Sequence, residues 1–381
     1  MKFHEYIFIA AAMLLVACTP KNAGQTDKDE TEPLFMNIIP KATGGYSLVS
    51  VSPFDGSGDT LEIGAPLSRL VVMSTSHIGF LSAIGGDQAI VGVSGGEYVC
   101  DTSVARRIAD GSVADIGYDT SPDYEKILKL KPDLLLAYSV SPVKSQFLSK
   151  VESLGIRTFI VNEHLERHPL ARAAYIRLFG ALTGKMDVAD SVLKAVTRNY
   201  LALRDSARTV QDSRPEGTVS GDGTPKPLGK RKILVNIPYR DQWFIPGQEN
   251  YIYHLFQDAG GEILGAEAGS PVSGRISVER AYSLSKEADL WMNVGWCSTE
   301  DQLLSANPLF GDFLRNIKTN ASSRGFDENS VVWNDNKRQN AQGGNDFWES
   351  GVVRPDLLLR DLIGIFSSDT AAVQEYYRPV R

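Results

Sequence analysis

The chain has 381 residues, 43% hydrophobic and 22% charged, enough apolar material for two globular cores. A net charge of -7 argues against a nucleic-acid partner and offers no basic patch to a membrane surface. Cys18, Cys100 and Cys297 are too few for a disulfide scaffold.

Lys2 precedes an apolar run over 7–17, shorter than the ~20 residues of a membrane span, and Leu15-Val16-Ala17-Cys18 closes it. Residues 1–17 therefore read as a lipoprotein signal peptide, and Cys18 as the lipidated residue of a bacterial envelope protein, periplasmic or surface-facing. An ordinary signal peptide with a chance cysteine is the alternative. Residues 18–67 read as a polar, flexible tether (19–34) followed by an edge hairpin that includes Tyr46 to Val51.

Residues 68–168 read as a first lobe, with strands at 70–74, 89–93, 134–138 and 158–161 separated by helices, hence a mainly parallel sheet. Residues 169–208 are a helical region broken at Gly184. Residues 209–230, rich in Gly, Pro, Ser and Thr, are a flexible loop. A second lobe spans 231–367 and ends in a closing helix at 355–366, with Pro355 in its first turn; 368–381 form a tail.

One pattern occurs twice. YEKILKLKPDLLL (124–136) and VERAYSLSKEADLWM (278–292) each run from an amphipathic helix through an Asp, Asp133 or Asp289, into an apolar strand. Each carries a Glu off the apolar stripe, Glu125 and Glu279. VVMSTSHIGFLSAIGG (71–86) and VNIPYRDQWFIPGQENYIYHLFQDAGG (235–261) repeat as strand, polar loop, helix and Gly-Gly stop. Two α/β lobes of like design facing one another make a cleft.

A cleft ligand touches the loops that follow the strands. In the first lobe these hold Ser76, His77, Tyr98 and Tyr118; in the second, Tyr239, Arg240, Trp243, Trp296 and Arg338. Aromatic faces with two guanidiniums suit a large, partly lipophilic, partly anionic complex. Each residue has a structural alternative: Ser74 to Ser76 cap a helix starting at His77, and Trp243 and Trp296 belong to the core. His77 is either an axial ligand to a complexed metal or a packed histidine. His164-Leu-Glu-Arg-His168 matches no zinc-protease motif, and Pro169 opposes helix at His168. Cys100 and Cys297 read as buried free thiols, with a cross-lobe disulfide as the alternative.

The run RLVVMSTSHIGFLSAIGG…IVGVSG…YEKILKLKPDLLLAY…LGIRTFIV…LFGALTGKMDVADSV resembles the substrate-binding proteins of ABC importers for iron complexes and vitamin B12, over about 68–365. The segment GGNDFWESGVVRPDLLLRDLIGIF resembles a subset of iron-compound-binding lipoproteins. The resemblance implies a class III periplasmic binding protein: two Rossmann-like lobes joined by a long rigid helix, here starting near Pro169, with small closure motions. It also implies an ABC permease with its ATPase as partner, docked through Glu125 and Glu279. The expected function is capture of an iron complex, siderophore or haem, for import. Cobalamin or another corrinoid is the alternative, and a surface metal chelatase with His77 as its base a third reading. Bare zinc or manganese as cargo is not expected from so few histidines. No enzyme activity and no cofactor beyond the lipid anchor are expected.

Overall fold

A computed structural model describes residues 30–213, 215–219, 225–227, 230–240, 242–324, 326–368 and 374–381. Residues 1–17, read as a signal peptide, Cys18 and most of the expected tether lie outside the described residues, as do Asp241 and part of the loop expected at 209–230.

Three short strands, β1 (Met36–Pro40), β2 (Tyr46–Val51) and β3 (Gly58–Ile63), form an antiparallel sheet of their own, one strand more than the expected hairpin. The first lobe holds β4 (Leu70–Val72), β5 (Ile90–Val93) and β6 (Ala114–Asp115). A tight ribbon of β7 (Gly117–Tyr118) and β8 (Ser121–Pro122) follows, then β9 (Leu134–Ala137) and β10 (Thr158–Ile160). Its parallel sheet runs β10-β9-β4-β5-β6.

Alternation along these strands feeds two cores, because successive side chains point to opposite faces. Leu70, Val72, Leu134 and Leu136 pack with Phe80, Phe179 and Leu182 on one face. Val71 and Leu135 meet Ile127, Phe147 and Val151 on the other. Helices therefore cover both faces.

The polypeptide then forms a small ribbon, β11 (Pro215–Val219) with β12 (Pro225–Pro227), and enters the second lobe at β13 (Arg231–Val235). There β14 (Trp243–Ile245) pairs with β16 (Gly274–Ile276) beside the main sheet. The main sheet contains β15 (Gly261–Ile263), β17 (Leu290–Met292), β18 (Val332–Asn334) and β19 (Arg378–Pro379), in the order β15-β13-β17-β18-β19. Only β19 is antiparallel in that order.

The repeated motif does the same work in both lobes. Asp133 accepts the backbone N–H groups of Ser68 and Arg69 at 2.9 Å each, just before β4. Asp289 accepts the N–H of Lys232 at 2.8 Å, inside β13. Each carboxylate thus ties the strand that follows its helix to the first strand of its lobe.

The linker differs from the expectation. Residues 169–183 are two short helices, Pro169–Ala173 and Ile176–Thr183, and Tyr175 to Leu182 sink into the first lobe's core. The long helix starts after Gly184, at Met186, and runs to Ser213, into the segment expected to be loop. Its 28 residues span about 42 Å. The end of the tether is also held: Glu166 accepts the amides of Leu34 and Phe35 at 3.0 Å, and Arg204 of the long helix pairs with Glu30 at 2.5 Å.

A second crossing joins the lobes. After β18 the backbone turns through residues 335–353, and Val352 and Val353 enter the first lobe's core while Phe347 stays in the second's. Gly79 of the first lobe is required here, since a Cβ would stand 2.0 Å from the Glu349 carbonyl oxygen. The closing helix, Pro355–Ser367, then returns to pack on the second lobe.

Candidate ligand cleft

In the first sheet the strand order reverses between β9 and β4, the topological switch where open α/β sheets bind ligands at their carboxyl edge. The loops at that edge carry exposed aromatics. Tyr98 follows β5 and is 43% exposed; Tyr118, in β7, is 39% exposed, and their rings lie 6.4 Å apart. The Tyr118 hydroxyl donates to Glu97, which lowers the Glu97 carboxyl and raises the tyrosine. Tyr138 follows β9 and meets the ring of His164 edge-on at 5.8 Å.

In the second lobe Tyr239 is 67% exposed at the tip of the loop after β13, with the Arg240 guanidinium 5.4 Å from its ring centre. Arg240 has φ +56°, a left-handed turn conformation that aims the pair outward. Trp296 follows β17 and is 56% exposed. Its loop is held from below: buried Asn334 donates to the carbonyls of Gly295 at 2.8 Å and Cys297 at 2.7 Å.

Three expected ligand contacts are corrected. Trp243 is fully buried, stacked 5.5 Å from Phe313, and its indole N–H donates to the Val235 carbonyl at 2.7 Å. That bond closes the loop at whose tip Tyr239 sits, so Trp243 positions the site without touching it. Ser76 is buried, and its hydroxyl donates to Glu163 at 2.7 Å. His77 is fully buried against Phe179, because the helix Thr75–Ala83 is capped by Ser74 and starts two residues before it. Burial pulls the imidazole down to about 4, despite the nearby Glu163 charge, so it is neutral at physiological pH. It is the enclosure, not the charge state, that keeps His77 from reaching a complexed metal or acting as a base on cargo in the cleft.

Arg338 is partly engaged. Its Nε lies 2.8 Å from Asp346, another guanidinium nitrogen pairs with Glu375, and the group sits 5.3 Å over the Tyr376 ring. It braces the crossing segment more than it offers a free cation. Cys100 and Cys297 are free thiols. Burial, then the Glu349 charge, pushes the Cys100 thiol up to about 12 and keeps it protonated.

Tyr138 and a buried polar network under the cleft went unread as site features in the sequence, and His164 was weighed only as part of a rejected zinc motif. Glu163 is flanked by Ser76 and by Arg172 at 3.6 Å, and Arg172 reaches the ring of Tyr251, in the second lobe, at 4.6 Å. Burial alone raises a carboxyl, but the neighbouring His164 imidazole and the Arg172 charge outweigh it and hold Glu163 well below the carboxylate range. The run EHLERH, from Glu163 to His168, carried the signal, since polar residues straight after an apolar strand fall on the site edge.

Glu125 and Glu279 occupy equivalent positions. Asp123 caps the helix Tyr124–Leu130 and Ser277 caps Val278–Ser285, leaving each glutamate in the first turn and exposed. Each helix carries the backbone away from the carboxyl edge of its sheet to start β9 or β17. Its N-terminus therefore lies at the same edge as the cleft loops.

This fold and site define a class III periplasmic binding protein. Residues 70–320 match the family described as periplasmic binding protein, and the chain belongs to that family. It resembles a periplasmic heme-binding protein of Pseudomonas aeruginosa, with TM-score 0.57 and 14% identity over 82% of this chain and 98% of that one. It resembles the periplasmic vitamin B12 binding protein of Vibrio cholerae similarly, with TM-score 0.54 and 14% identity over 80% and 98%. At such identity these likenesses establish the fold alone. An uncharacterized lipoprotein of Methanocaldococcus jannaschii is 24% identical over 325 residues, 81% of this chain and 67% of the relative. An uncharacterized ABC transporter substrate-binding lipoprotein of Bacillus subtilis is 22% identical over 189 residues, covering 49% and 56%.

Proposed function

We propose that this protein is the solute-binding component of an ABC importer and captures an iron complex, siderophore or haem, in its cleft. The carrying observation is the pair of aromatic rims, Tyr98, Tyr118 and Tyr138 on one lobe and Tyr239 and Trp296 on the other, all 38% exposed or more. Exposed rings of this size are a cost in water that a flat or lipophilic ligand removes, and Arg240 supplies a cation for an oxyanion. A corrinoid is the second reading, favoured by the same aromatic surface. The relatives named as lipoproteins support anchoring through a lipid on Cys18. Among the described residues no helix is long and apolar enough to cross a membrane.

Delivery to the permease falls to Glu125 and Glu279. One exposed carboxylate per lobe, at equal register and on the cleft edge, reads the spacing of two basic sites and sets orientation. The test is a spectroscopic titration of the purified protein with haemin, ferric siderophores and cyanocobalamin. Saturable binding of one class at micromolar concentration or below supports the reading and names the cargo. Failure of all three overturns it.

A further inference from the structure

A cavity of about 250 Å³ opens beside the cleft, between the tip of the β2–β3 hairpin and the loop at 138–145. Met73 and Tyr138, the residues that directly follow β4 and β9, line its wall, so it sits at the topological switch of the first lobe. Its volume is below the roughly 300–1,000 Å³ of pockets that hold a whole ligand, so it is a side pocket for part of one, too small for a tetrapyrrole or a whole siderophore complex.

The wall is rich in hydrogen-bond acceptors and poor in donors. The Ser139 hydroxyl donates to Asn162 at 2.8 Å, Ser141 to the Val143 carbonyl at 3.1 Å and Ser57 to Asp55 at 2.8 Å, so their lone pairs remain. Asn162, buried in the floor, spends its amide on the Val51 carbonyl at 3.1 Å. The one cation among the described lining residues, Lys144, is held by both oxygens of Glu152 at 2.6 and 2.7 Å. Asp59 of β3 and Asp119, in the turn between β7 and β8, both line the cavity, and among the described residues neither has a hydrogen bond or an ion pair through its carboxylate.

We propose that this side pocket takes a protonated amine carried on a flexible arm of the cargo, with Asp59 and Asp119 as its counter-charges. This rests on the reading of the cleft as a site for a metal complex. The complex body lies among the aromatics, and the arm passes Tyr138 into the pocket. Tyr138 offers a ring face to the arm, and the serine oxygens accept the remaining N–H groups. The β1–β3 sheet then has a function beyond closing the fold: its tip supplies half of a specificity pocket.

The test compares ferrioxamine B, whose pendant amine is protonated at neutral pH, with its N-acetyl derivative, which has the same iron-binding groups and no such charge. The native protein is expected to bind the amine form about tenfold more tightly, from one or two partly desolvated charge pairs. The double variant Asp59→Asn, Asp119→Asn should lose that preference and keep its affinity for the acetyl form. Both carboxylates are exposed and unpaired, so unchanged thermal melting serves as the folding control. Equal binding of the two complexes by the native protein overturns the proposal, as does a preference that survives in the double variant. Binding of neither also overturns it, and parallel titrations with haemin and cyanocobalamin then report separately whether the cleft reading stands.

Discussion

The Glu349 carboxylate accepts the backbone N–H of Cys100 at 2.8 Å, a bond between the crossing segment and the first lobe. Its other oxygen accepts the N–H of Asp101. Nearby, Asn340 donates to the carbonyls of Glu97 at 2.9 Å and Val99 at 3.1 Å. A Cβ on Gly344 would stand 2.1 Å from the Tyr98 carbonyl oxygen, so only glycine permits this approach. The lobes are therefore stapled on one side by this segment and joined by the long helix, which restricts closure to small movements.

Glu349 makes that staple sensitive to pH. Burial pushes its carboxyl up to about 7 from an ordinary 4.5, with the charges of Asp346 and Asp101 adding to the push against its backbone hydrogen bonds. A raised folded value means the contribution to stability is complete below about 4.5 and declines as pH rises through about 7. Asp335, raised by burial to about 6, acts in the same direction. Urea unfolding of Glu349→Gln and the native protein at pH 5 and pH 8 checks this. Relative to the native protein, the variant should gain stability between the two, by up to about 3 kcal/mol.

Asn334 is predicted to govern the Trp296 rim from beneath. Asn334→Ala removes both hydrogen bonds to the loop carbonyls and strands the buried one of Cys297, which costs about 1–3 kcal/mol of stability. Ligand affinity should fall about tenfold, because the loop must be ordered on binding. Calorimetric titration reads the second effect, and denaturant unfolding the first.

His77 and Trp243 separate packing from binding. His77→Ala opens a cavity beside Phe179 and should cost about 2–4 kcal/mol, with the dissociation constant of the cargo unchanged within about twofold. Trp243→Ala should cost about 3–5 kcal/mol and also weaken binding, since the Tyr239 loop loses its tether to Val235. A large affinity loss for His77→Ala without a stability loss would restore it as a ligand contact.

Glu125→Arg with Glu279→Arg should abolish uptake of the cargo by whole cells and leave its affinity for the purified protein intact. Both side chains are exposed at helix starts, away from any core, so the fold is expected to tolerate the reversal. A fall in binding by the purified variant would remove the docking assignment.

The repeat was the most legible part of the sequence, because Asp133 and Asp289 mark a local event, the helix-to-strand turn, that spacing alone reveals. The first lobe's parallel strands, and the two second-lobe strands inside the repeats, followed from apolar runs for the same reason. His77 and Trp243 were misplaced by a matter of facing. The cap at Ser74 sets the register of His77, and the indole of Trp243 finds its acceptor, the Val235 carbonyl, inside the lobe. The staple at Glu349 and the pocket between the β2–β3 tip and the loop at 138–145 depend on contacts between segments distant in sequence. No local pattern encodes them. Asn334 likewise gains its meaning only when β18 is laid beside β17.

The central claim, that cargo binds between the two aromatic rims, is tested most directly by tryptophan fluorescence of the native protein against Trp296→Phe. Trp243 and Trp291 are fully buried, Trp333 is partly buried and Trp348 is 39% exposed, while Trp296 is 56% exposed on the cleft rim, so cargo in the cleft quenches Trp296 most strongly. Saturable quenching is expected in the native protein and loss of most of that signal in Trp296→Phe, with binding still detectable by calorimetry. Equal quenching in both proteins would place the cargo elsewhere and contradict the account.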